Sequence, residues 1–302
     1  MMDTAPAMLA ADTAQIARFV HALFRYADPD SIVALRSFYD DASSVHQIGV
    51  YRIADGLEGL VAAATAHATR CSQHPRPVVF CPPVATFTEG AQAREQDLVN
   101  GLALSVECDM APNDARTGLE GLLGPATLVV RSGGCWTDKQ TGEVQDKLHL
   151  HWRLTEPTRG AAAHAALKQA RTLAAALVGG DRSNAPAVHP IRWPGSWHRK
   201  ARPRLAIIVA ENDTELELGD ALELLADLLA GGQRLVVGQQ VAAGRFGPLE
   251  GVVLALQVGR RCSRCLGHSK IRRKRSKSHH QGGEHPSWKP NVTQPRRSPT
   301  SW

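Results

Sequence analysis

Glu107 and Asp109 end a run, LALSVECD at 102–109, in which apolar and polar residues alternate, so both carboxylates stand on one side of a strand. Two like charges that close need a compensating cation. Hard divalent ions such as Mg²⁺ or Mn²⁺ take carboxylate oxygens and keep several waters, so an acid-x-acid strand end joined by a distant third acid suits phosphoryl transfer. The same pair also reads as a solvated strand terminus, because so short a motif is common. In KLHLHWRL at 147–154, His149 and His151 share one face while Leu148, Leu150 and Trp152 fill the other. An imidazole there binds phosphate when protonated and donates a hydrogen bond when neutral; the alternative is a satisfied surface residue. The H-x-H spacing without nearby Cys argues against structural zinc. A third stretch, IRWPGSWHRKARPR at 191–204, holds Arg192, Arg199, Lys200, Arg202, Arg204 and His198 with no acid, interleaved with Trp193 and Trp197. Guanidinium and ammonium groups suit phosphates, and an indole either stacks on a base or fills the core.

The elements that must hold these groups follow from periodicity. Residues 13–27 place Ile16, Phe19, Val20, Leu23 and Phe24 on one helical face, with Thr13 as cap. Strands are expected at 31–39 and 44–53, and Gly56 opens an Ala-rich helix reaching about Arg70. PVVFCPPVATF at 77–87 predicts a strand stopped by Pro82 and Pro83, since proline donates nothing to a ladder. After the strand at 102–109 come a helix over about 114–123, a strand TLVVRS, a polar Gly-rich hairpin-like loop at 133–146 and the strand at 147–154, the order βαββ. A long Ala-rich helix at 160–178 leads through Gly179 and Gly180 to Asp181, and a strand at 203–211 and a helix at 217–230 close the body. Interleaved strands and helices without an internal repeat predict an α/β or α+β domain.

The 302 residues carry a net charge of +6, with 43% hydrophobic and 21% charged residues. That composition excludes disorder of the whole chain, and no apolar run approaches the roughly 18–20 residues that span a bilayer. The N-terminus lacks a basic segment followed by an apolar one, so it does not read as a secretory signal, and six scattered Cys do not form a disulfide framework; a cytoplasmic protein with reduced thiols is expected. The charge is uneven. Residues 260–302 hold 12 Lys or Arg against one acid, Glu284, leaving 23 basic against 28 acidic residues in 1–259. Past Gly259, apolar residues nearly vanish, which predicts a disordered basic tail that binds polyanions weakly. Cys262 and Cys265 lack the surrounding order that a zinc site needs. The strand-like EGVVLALQVG runs straight into this tail, for which a truncated or frameshifted end is one explanation.

In order and spacing, LALSVECD, TLVVRSGG, KLHLHWRLTEPT, GGD and IRWPGSWHRK resemble the catalytic series of the archaeo-eukaryotic primase superfamily, in the primase-polymerase branch of phages, plasmids and integrated mobile elements. The resemblance covers about residues 10–230. It implies a domain at 1–259 with an N-terminal α/β unit over about 1–100 joined to an RNA-recognition-like catalytic sheet over about 101–230. It further implies DNA primase or polymerase activity, a metal-dependent nucleotidyl transfer with Mg²⁺ or Mn²⁺ held by Glu107, Asp109 and Asp181. His149 then holds the triphosphate, while His151, Arg192, His198 and Lys200 serve nucleotide or template. Two positions depart from the family: Glu107 stands where many relatives have Asp, and Lys147 stands where a small residue is usual. Implied partners are a single-stranded DNA template, nucleoside triphosphates and a separate replicative helicase, with no membrane. Two other functions fit the sequence: a non-catalytic single-stranded DNA-binding replication module whose basic tail supplies affinity, and a metal-dependent nuclease that uses the same three acids.

Overall fold

The computed structural model describes residues 9–42, 44–88, 90, 93–180, 184–200 and 202–230. The expectations for Asp181, for the strand-like 250–259 and for the tail, including Cys262 and Cys265, lie outside the described residues.

The periodic segments form the elements expected, with informative differences at their ends. Helix α1 runs Thr13–Leu23, and its cap is Asp12, whose carboxylate accepts from the Gln15 amide at 3.1 Å, not Thr13. Strands β1 (Ile32–Tyr39) and β2 (Val45–Arg52) form an antiparallel hairpin, followed by α2 (Leu57–Gln73). The run at 77–87 is two short strands, β3 (Val78–Phe80) and β4 (Ala85–Phe87), and not one. Pro82 and Pro83 interrupt it, yet both pieces pair with the same side of β1. Strand β5 (Leu98–Cys108), α3 (Pro112–Leu123), β6 (Leu128–Thr137) and β7 (Val144–Thr158) give the βαββ order. The hairpin-like loop expected at 133–146 is a hairpin whose arms extend further, because Cys135–Thr137 pair with Val144–Asp146 and leave only 138–143 to turn. Helix α4 (Gly160–Leu177), the short strands β8 (Trp197–His198) and β9 (Arg204–Leu205), β10 (Ile207–Glu211) and α5 (Leu218–Ala230) follow.

One sheet dominates this α+β body. Its strand order is β10-β6-β7-β5-β4-β1-β2, with β3 beside β1, and every ladder within it is antiparallel. Alternation along β5 and β7 splits the core in two. Ala103, Leu128 and Val130 pack with Ile16 and Phe19 of α1, Leu60 and Ala64 of α2, and Trp193. Leu104, Val106, Leu150 and Trp152 turn to the other face, against Ala115 and Leu119 of α3, Leu167 and Ala174 of α4 and Leu225 of α5. Each Leu, Ile, Val or Phe among them removed from water contributes about 1.5–3 kcal/mol.

His67 of α2 is 1% exposed and packs on Phe80, with its Nε2 3.0 Å from Ser37 Oγ. Burial, aided by Arg70 and His46, pushes its pKa down from 6.5 to about 4. The unfolded chain therefore takes up a proton below about pH 6.5 that the folded chain refuses until about 4, so stability is lost as pH falls across that window. The thermal midpoint should decline between pH 6.5 and 4.5, less steeply in His67→Gln. An identical slope in the two proteins would assign the acid sensitivity elsewhere.

Candidate active site

Register brings the polar faces of β5 and β7 together. Glu107 pairs with His149, and Ser105 with His151. Glu107, Asp109 and His149 line one cleft of about 420 Å³ with Lys147, His189, Arg192, His198 and Lys200. Six of the eight residues expected at the site thus share it: Glu107, Asp109, His149, Arg192, His198 and Lys200. Asp181 lies outside the described residues, and His151 sits elsewhere.

His151 lies away from the cleft. Although it shares a face with His149, it is 0% exposed, its ring meets Phe19 edge-on at 5.4 Å and its Nδ1 is 2.9 Å from Ser105 Oγ. Its side chain is sealed under α1 and does not line the cleft. The cause is coverage: α1 lies over one end of the shared face and leaves His149 at the floor of the cleft. His149 is itself 5% exposed, and burial lowers its pKa, which favours the neutral ring. Its Nδ1 is buried without a hydrogen-bond partner among the described residues.

Glu107 is held from above. Asn184 Nδ2 donates to its Oε2 at 3.0 Å, and His189 Nε2 stands 3.5 Å from Oε1. Burial alone would raise its pKa, but the His189 hydrogen bond and the charges of His189 and Arg171 outweigh it and bring the carboxyl to about 2. Arg171, a buried residue of α4, donates to the Ser105 carbonyl at 3.1 Å and the Pro186 carbonyl at 2.9 Å. It thereby ties the irregular segment carrying Asn184 and His189 to β5. Asp109 pairs with the Lys147 ammonium at 3.1 Å. Sequence reasoning missed Asn184 and His189, which lie in a stretch without periodicity; Lys147 carried a signal, since it shares its parity on β7 with His149.

The basic stretch divides its labour. Arg192 donates to the Ser132 carbonyl at 2.8 Å and lines the cleft with His198 and Lys200. Burial, then Arg192, lowers the His198 pKa. Arg199 instead closes the end of α2, donating to the carbonyls of Cys71 and His74. Trp193 is core, fully buried against Phe19, Phe24 and Phe80, with its indole N–H on the Pro82 carbonyl. Gly195, at φ 83°, lets this stretch dock on α1: its carbonyl accepts from the Asp12 amide at 2.9 Å, and a Cβ would strike the Asp12 carbonyl.

By donor type Glu107 and Asp109 fit a hard divalent cation, since both present carboxylate oxygens to one polar cleft. Among the described residues no group of three His, Cys, Asp or Glu side chains stands together to hold a metal ion. No helix among the described residues is long and apolar enough to cross a membrane.

No protein-family model matches the chain, and no curated protein matches it. Three solved structures are similar to it. The AEP domain (PP-N190) of the cyanophage S-2L primase-polymerase is 16% identical with a TM-score of 0.49, over 72% of this chain and 100% of that one. The catalytic domain of primase RepB′, in complex with initiator DNA, is 11% identical with a TM-score of 0.46, over 73% and 96%. Primase RepB′ in a further structure is 10% identical with a TM-score of 0.44, over 72% and 64%.

Proposed function

We propose that the protein is a DNA primase or primase-polymerase, extending a strand by template-directed transfer of nucleotides. The observation that carries this reading is the convergence of Glu107 and Asp109 with His149, Arg192, His198 and Lys200 around one cleft, two carboxylates facing a set of cationic and imidazole groups. The order of the sequence motifs points the same way. A nucleoside triphosphate has this polarity, with its phosphates needing positive charge and its reacting α-phosphate needing a metal site.

Glu107 and Asp109, with Asp181 as the expected third acid, would hold Mg²⁺ or Mn²⁺. When bound there, the ion supplies Lewis acidity to the α-phosphate and to the attacking 3′-oxygen. The residues of the chain do the rest. Glu107, ionised at all working pH because its carboxyl is held near pKa 2, gives a fixed negative point. Arg192 and Lys200 bring charge to the phosphates or to the template path. His149, neutral by burial, offers a ring N–H to a phosphate oxygen from the cleft floor. The 3′-hydroxyl oxygen bonds to the α-phosphorus, giving its proton up to water, as the bond to the pyrophosphate oxygen breaks and pyrophosphate leaves.

The test is primer synthesis and primer extension on single-stranded DNA with labelled nucleotides and Mg²⁺ or Mn²⁺. Products that lengthen with nucleotide support the reading. Nicking of the template without nucleotide would assign a nuclease, and DNA binding without either reaction would assign a binding module.

His149 and His151 separate within this assay. His149→Ala should raise the apparent KM for nucleotide about tenfold, the loss of one hydrogen bond to a charged group, and leave DNA affinity nearly unchanged. His151→Ala should leave KM alone and cost about 2–3 kcal/mol of stability, because it empties a packed site under α1. The reverse pattern would place the phosphate contact at His151 and the structural role at His149.

A further inference from the structure

The two carboxylates of the cleft are countered in different ways. Glu107, 17% exposed at its side chain, receives the neutral amide of Asn184 at 3.0 Å and has the titratable His189 imidazole at 3.5 Å, but among the described residues no ammonium or guanidinium is paired with it. Asp109 instead carries a full positive charge, the Lys147 ammonium at 3.1 Å, and both side chains remain reachable from solvent at 42% and 32% exposure. The lysine is also given a track. Gly134 of β6 lies beneath its stem, and a Cβ there would stand 3.1 Å from Lys147 Cδ. The stem is thus laid across the sheet toward Asp109, one pair of residues before His149 on the same strand face.

Building on the nucleotidyl-transfer reading above, we propose that Lys147 is the resident counter-cation of Asp109 and competes with the divalent ion for that carboxylate. Metal loading is then an exchange of charges. A divalent ion bound to a carboxylate oxygen at about 2.1 Å and an ammonium on the same group repel each other across a few ångströms, so the ammonium must withdraw for the ion to settle. The flexible four-carbon stem permits this without backbone change. Lys147 accordingly sets how much metal the site requires, and keeps Asp109 neutralised without it.

The experiment is Mn²⁺ binding to the full chain, read as loss of the free-ion paramagnetic resonance signal, without nucleotide. Wild type, Lys147→Met, Lys147→Gln, Lys147→Arg and Glu107→Gln are compared. Lys147→Met and Lys147→Gln should bind Mn²⁺ about tenfold more tightly than wild type, Lys147→Arg should stay near wild type, and Glu107→Gln should weaken binding. Agreement between the Met and Gln variants excludes an effect of misfolding in one of them. If wild type binds Mn²⁺ in a Glu107-dependent way and removal of the Lys147 charge does not tighten it, the exchange is overturned while the nucleotidyl-transfer reading stands. If neither wild type nor the Lys147 variants show Glu107-dependent Mn²⁺ binding, both fall.

Discussion

Glu107→Gln is expected to lower nucleotide incorporation by on the order of 1000-fold, equivalent to about 4 kcal/mol of transition-state stabilisation. The substitution keeps the shape of the side chain and leaves an oxygen to accept from Asn184, so what it removes is the charge. That charge is permanent in the folded protein, whose surroundings hold the carboxyl near pKa 2. An amide oxygen is a much weaker donor to a hard cation than a carboxylate. Asp109→Asn should cost a similar factor, and the double variant little more, because groups that serve one site fail together and not additively. A second consequence must be controlled. A carboxyl depressed by about two and a half pKa units favours the fold in its ionised form, so Glu107→Gln gives up at most about 3 kcal/mol of stability, and a melting curve must show the variant folded at assay temperature. Incorporation within threefold of wild type by a folded Glu107→Gln protein would remove Glu107 from the reaction.

How far this site was legible in the sequence depends on the kind of order that built it. Alternation in LALSVECD and KLHLHWRL placed Glu107 on the face shared by Ser105, and His149 on the face shared by His151, because a period of two is local. It could not place Glu107 opposite His149, since register is settled by packing between strands distant in sequence. Nor could it separate the two histidines. Both obey the same parity, and they differ only in that Phe19 of α1 lies over one of them. The stretch around Trp193 shows the same limit in reverse: a Trp among arginines satisfies the pattern of a stacking surface and of a core plug equally, and the Pro82 carbonyl waiting for its N–H decided. Composition showed the hairpin at 133–146 but blurred its bounds, because glycines and polar residues suggested a turn throughout although β6 and β7 pair as far as Thr137 and Val144. His189 and Asn184 had no signal because irregular backbone has no period, and Arg171, read as one more residue of an Ala-rich helix, proves to be the tie that holds them over Glu107.

Arg153→Met should destabilise the fold by about 2–3 kcal/mol, lowering the thermal midpoint by roughly 5–10 °C for a body of this size. Arg153 lies on β7, two residues past His151, with 2% exposure. Its guanidinium makes three bonds that diverge: Nε donates to Glu215 at 3.1 Å, one terminal nitrogen to Asp213 at 3.0 Å, and the other to the Ala22 carbonyl at 3.0 Å. That carbonyl belongs to the last turn of α1, where no amide of the helix can reach it. One side chain therefore fastens the end of α1 and the segment entering α5 to the central sheet. The opposing consideration is that exchanging a buried ion pair for apolar packing is often neutral, because desolvation consumes much of the attraction. Here the terms do not cancel fully. Asp213 is 84% exposed and keeps Arg25 as a partner, so it loses little, whereas the Ala22 carbonyl faces a Met that donates nothing. This is why the expected cost lies at or below the lower end of the roughly 3–5 kcal/mol for breaking a buried pair. Arg153→Lys should recover only part of it, since a single ammonium cannot span three divergent acceptors. Denaturant midpoints for the three proteins measure the difference, with incorporation at low temperature unchanged because the cleft lies elsewhere on the sheet. A loss under 0.5 kcal/mol in Arg153→Met would mean that α1 is held by the packing of Phe19 and Ile16 alone.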